Sequence, residues 1–103
     1  MTYQEIVIGM SKNINDSNYA YNQLYAGITS DIDSRLHGDH NVSKEDDWYS
    51  YALADSEEIA RQVESYFIGL GMDGETDDDD SSSKYVYTFH KTSTTNPSIR
   101  EYI

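Results

Sequence analysis

Apolar residues near the start of the chain recur at helical spacing: Tyr3, Ile6, Val7, Met10 and Ile14 share one side of a helix. Thr2-Tyr3-Gln4-Glu5 precedes them in the Thr-x-x-Glu form of a capping box. The pattern predicts a helix over 3–13, although Ile6-Val7-Ile8 also suits a strand and Gly9 weakens a helix. The polar cluster from Asn13 to Asn18 reads as a turn. Gln23 to Ile28 reads as a strand. Thr29 or Ser30 then caps a short helix through Leu36, with Ile32 and Leu36 on its inner face, and Gly38-Asp39-His40-Asn41 breaks it.

Large rings alternate with small or polar residues from Asp47 to Leu53, which predicts a second strand. Asp55-x-x-Glu58 is another capping box, with Ser56 a competing cap. Ile59, Val63, Tyr66, Phe67 and Leu70 form a helical stripe that Gly71 terminates. Asp73 to Ser83 is acidic and of low complexity. Its small and like-charged residues cannot bury enough apolar area to offset ordering entropy, so a mobile loop over 73–83 is expected. Lys84 to Lys91 is the last strand, and the tail from Thr92 is irregular. The sum is a single α+β domain over 1–103, with a small, mainly antiparallel three-stranded sheet flanked by helices.

Composition adds constraints. A chain of 103 residues buries one modest core. It has no cysteine, which excludes disulfides and thiolate metal sites. The first residues lack a basic n-region and a long apolar run, and no stretch approaches the roughly 20 apolar residues that span a bilayer, so a cytoplasmic protein without membrane contact is expected. Nineteen acidic residues oppose seven basic ones, a net charge of −12. Such a balance disfavours broad contact with nucleic-acid phosphates and suits a solvated surface, a basic protein partner or mimicry of nucleic acid. The ten tyrosines suit strands and the edge of the core.

A few residues could carry chemistry. The Arg35 guanidinium could stabilise charge developing on a phosphoryl group; it could equally be a surface residue paired with Asp31 or Asp39. Glu64 lies one step off the apolar stripe of its helix. It could hold a hard cation or simply face solvent beside Arg61. His37 and His40 follow Arg35 without a third metal donor in view, and His90 sits within a strand. Asp73, Glu75 and Asp77 fall at the first three ligand positions of a calcium loop, but Asp78 stands where that loop needs Gly and Lys84 where it needs Glu.

Leu24-Tyr25-Ala26-Gly27-Ile28-Thr29, then Ser34-Arg35-Leu36, then Glu64 within Ala60-Arg61-Gln62-Val63-Glu64, form an order that resembles the GIY-YIG nuclease superfamily. The resemblance covers residues 24–68. It implies a GIY-YIG-like fold and a divalent-metal-dependent phosphodiesterase, with Tyr25, Arg35 and His40 as catalytic residues and Glu64 as the ligand of Mg²⁺ or Mn²⁺. It also implies that Tyr25, Arg35 and Glu64 meet in one cleft. The superfamily's opening Gly-Ile-Tyr strand has no counterpart before Tyr25. The strand Tyr85–His90 is expected to lie beside Tyr25 instead, bringing Tyr85 or Tyr87 to the cleft. Asn96 matches the superfamily's late asparagine only by position. The competing expectation is a non-enzymatic acidic interaction domain, which binds a basic protein or mimics nucleic acid.

Overall fold

The computed structural model describes residues 1–74 and 83–96. Helix α1 spans Tyr3–Ser17 and begins at the expected capping box: Thr2 Oγ1 accepts from the Glu5 amide at 3.2 Å, and the Glu5 carboxylate accepts from the Thr2 amide at 2.8 Å. Ile6, Met10 and Ile14, one turn apart, are buried, while Gly9 faces open space. The helix runs four residues beyond its expected end. Its polar last turn needs no apolar partner, and Asn18 closes it in the left-handed conformation, which asparagine tolerates (φ 65°).

Strand β1 spans Leu24–Thr29 and is buried on both faces. The polypeptide then winds into a short, wide helical turn over Asp33–Asp39, where the His40 amide donates to the Arg35 carbonyl at 2.9 Å, five residues back. Asp31 anchors this turn, not Thr29 or Ser30: its carboxylate accepts from both the Ser34 amide and the Ser34 hydroxyl. Strand β2 spans Tyr49–Leu53, and helix α2 spans Glu57–Gly69. Ser56, rather than Asp55, caps α2 by accepting from the Ile59 amide.

The buried side of α2 is Ala60, Val63, Glu64 and Phe67. The helix is therefore rotated from the expected stripe. Small Ala60 allows close approach to the sheet, and Tyr66 and Leu70 are left exposed. Tyr66 meets the Tyr3 ring edge-on instead, at 6.3 Å, joining the two helices.

Among the described residues the sheet has four strands rather than three, and it is mixed, with one parallel pairing beside two antiparallel ones. Asp73–Gly74 forms β3, Tyr85–His90 forms β4, and the order is β2-β4-β1-β3. β4 runs antiparallel to both neighbours, whereas β3 is parallel to β1. Two residues at the head of an acidic run carry no periodic signal. What admits them is Gly74, where a Cβ would lie 2.6 Å from the Ala26 carbonyl oxygen. Residues 75–82 of the expected loop, and with them most of the calcium-loop pattern, lie outside the described residues, as does the tail beyond Asn96; Ser83 at the loop's end is buried.

Alternation along β1 divides the core. Leu24, Ala26 and Ile28 face a layer made by α1 and α2, with Met10, Val63 and Phe67. Tyr25 faces the other side, with Leu36, Val42, Tyr87 and Phe89. On that second side Gly27 stands opposite Tyr87 in the register. The Tyr87 ring lies across the glycine, so that a Cβ there would come within 2.5 Å of Tyr87 Cζ.

Gly27→Ala is expected to push the Tyr87 ring from its seat and to lower stability by about 1–3 kcal/mol, the usual cost of overpacking. Urea denaturation measures this directly. A variant as stable as the parent would show that the ring does not depend on the missing side chain.

Candidate functional site

The β1–β4 register brings Tyr25 beside Phe89, with ring centroids 5.1 Å apart, and places Tyr87 two residues along. The turn after β1 folds back over this face and drives His40 between the rings. Its centroid lies 4.9 Å from Tyr25, 4.9 Å from Phe89 and 5.5 Å from Tyr87. His40 is wholly buried, Tyr87 is 1% exposed and Tyr25 is 4% exposed.

Both ring nitrogens of His40 are engaged. Nδ1 lies 2.6 Å from the Asn96 carbonyl oxygen, which can only accept, so Nδ1 carries the proton. Nε2 is then the acceptor, and the Tyr87 hydroxyl donates to it at 2.7 Å. The main chain repeats the link: the Asn96 amide donates to the His40 carbonyl at 2.7 Å. Burial pushes the His40 pKa down. The nearby Arg35 charge adds to that effect, while the bond to Asn96 and the Asp39 charge oppose it.

Arg35 lies on the same turn at the surface, its side chain 36% exposed, with Nε 3.5 Å from Asp39 Oδ2. This is one of the two pairings that the sequence allows. Glu64 is carried by α2, which packs on the opposite face of the sheet, and is 2% exposed rather than solvated. The structure thus gathers Tyr25, His40 and Tyr87 on one face, with Arg35 at its rim. The helix bearing Glu64 lies across the sheet.

His37 and His90 have structural partners. His37 Nδ1 donates to the Val42 carbonyl at 2.8 Å and the ring meets Tyr49, whereas His90 stacks on Tyr19 at 3.8 Å. Among the described residues, no three His, Asp or Glu side chains gather as metal donors. Glu64 is 2% exposed, which leaves little space for the waters that Mg²⁺ or Mn²⁺ retains. The Tyr87–His40 bond joins residues far apart in the chain, and only the alternation that turns Tyr87 inward hints at it.

Charge on the surface is arranged unevenly. Asp31, Asp33, Asp39, Glu45 and Asp46 are exposed along the turn and its sequel. Lys44 pairs with Asp33 at 3.4 Å, Lys91 with Asp73 at 3.7 Å, and Arg61 with Glu57. A hollow of about 540 Å³ beside α2 is lined by Tyr3, Glu57, Glu58, Arg61, Gln62 and Ser65. Among the described residues, no helix is long and apolar enough to cross a membrane. Comparison with protein-family models, with curated proteins and with solved structures finds no match for this chain.

Because His40 is held neutral in the native state, the unfolded chain takes up its proton first as pH falls. Stability is therefore retained above about pH 6.5, the ordinary imidazole value, and lost as pH drops through the depressed native pKa. The expected slope approaches about 1.4 kcal/mol per pH unit within that window. Thermal unfolding between neutral and mildly acid pH tests this. If His40→Gln shows the same slope as the parent, His40 is not its source.

Proposed function

We propose that this chain is a non-enzymatic acidic interaction domain that docks a basic protein. The observation that carries the reading is the state of its cations. Arg35, Lys44, Arg61 and Lys91 each face a carboxylate of the chain itself, within a net charge of −12. Among the described residues, that leaves Lys12 and Lys84 as the basic side chains outside these pairs. A phosphate backbone requires a converging basic surface, whereas this one repels polyanions and attracts polycations. The burial of Tyr25, His40 and Tyr87 agrees, since closed packing offers a substrate little access.

The second reading is a metal-dependent phosphodiesterase of the GIY-YIG kind. It draws support from the gathering of Tyr25, His40 and Tyr87 beneath Arg35. One pair of measurements separates the two. Titration with a small basic protein such as protamine should give a saturable complex, with an association rate that falls as salt rises. Labelled duplex and single-stranded oligonucleotides, with Mg²⁺ or Mn²⁺, should remain intact. Cleavage that disappears in both Arg35→Ala and Glu64→Ala would replace the docking reading with the enzymatic one. No saturable complex at physiological ionic strength would remove the docking reading outright.

A further inference from the structure

Cross-strand pairing sets Tyr49, Tyr51 and Leu53 of β2 opposite Phe89, Tyr87 and Tyr85 of β4, all on the face away from the helices. The turn over Asp33–Asp39 and its sequel cover the Phe89 end of that face. The Tyr85 end remains open, where Tyr51 is 50% exposed and Leu53 is 48% exposed. Tyr51 stacks on Tyr49 at 6.4 Å and meets Tyr85 edge-on, also at 6.4 Å. Between these tyrosines and the start of the turn lies a slot of about 270 Å³, lined by Tyr51, Tyr85, Ser30, Asp31, Ile32 and Asp33.

We propose that this slot receives the guanidinium of an arginine presented by an extended segment of a basic protein. The proposal rests on the acidic-docking reading and names the chemistry of its contact. Tyrosine rings attract cations through their π-faces, and arginine makes such contacts more often than lysine. The carboxylates of Asp31 and Asp33 supply charge beside the rings. Asp31 is held in place by Ser34, whose amide and hydroxyl bind its two oxygens. Those bonds also hold the Asp31 pKa below the usual carboxylate range, so the charge is present at neutral pH.

Asp33 already attracts a cation. Lys44 Nζ lies 3.4 Å from its Oδ1, but the two side chains are 60% and 78% exposed, and so open an ion pair readily exchanges for a better-placed one. Ile32 offers an apolar wall for the alkyl stem of an incoming arginine. The slot is smaller than the roughly 300–1,000 Å³ typical of small-molecule pockets, and suits one side chain.

The test is fluorescence anisotropy at physiological ionic strength, using the full chain and a labelled peptide of alternating arginine and serine. Tyr51→Ala and Asp33→Asn should each weaken binding by about three- to thirty-fold, the range that a cation–π or partly desolvated ionic contact commands. Tyr51→Phe should bind like the parent, and the matched lysine peptide should bind less tightly. Glu58→Gln, which removes the same charge as Asp33→Asn but lies on α2, should change affinity by less than about twofold. Circular dichroism verifies the fold of each variant. Equal losses in Asp33→Asn and Glu58→Gln, or undiminished binding by Tyr51→Ala, would overturn the slot while leaving acidic docking in place. Absence of binding to both this peptide and the basic protein would overturn both.

Discussion

The second core is organised around a missing side chain. Because Gly27 has no Cβ, the Tyr87 ring can lie across β1, and from that position its hydroxyl reaches His40 Nε2. His40 in turn binds Asn96 through its ring and its main-chain carbonyl. One glycine thus sets a chain of contacts from β1, through the turn after it, to the segment that follows β4. The Tyr87–His40 bond is sheltered from water, where a satisfied polar group adds specificity and an unsatisfied one is costly.

Much of the architecture was legible in the pattern of the chain. The capping box at Thr2 and Glu5, the strand after Gln23, the alternating rings before Ala54 and the strand from Tyr85 each rest on short-range rules, and the structure contains all four elements. The α+β class follows from their order. Less legible was whatever depended on contacts between distant residues. The two-residue β3 has no period of its own and exists because Gly74 fits against Ala26. The face that α2 buries was shifted by about one residue, because Ala60 packs more closely than Tyr66 could.

The site shows the same division. Arg35 beside Asp39 is a helical neighbour relation that spacing alone anticipates. The burial of His40 is not, since Gly38, Asp39 and Asn41 around it are all exposed, as expected of a polar turn. Nor could spacing reveal that Glu64 would be buried, because that follows from how its helix is rotated against the sheet. The Tyr-x-Gly run carries the family resemblance and also has a packing role here: Tyr25 lines the second core and Gly27 makes room for Tyr87.

The strand order has a consequence for how the chain acquires its shape. β4, synthesised after β1, β2 and β3, occupies the space between β1 and β2, so those two have no partner in common until it arrives. Closing the sheet means bringing residues near 87 to residues near 27, and loops of that span slow folding compared with local helical contacts. During translation the two helices can form early, but the sheet can close only once Tyr85–His90 has emerged. A chain interrupted before that point would lack the middle of its sheet, exposing both β1 and β2 as unpaired edges open to other chains.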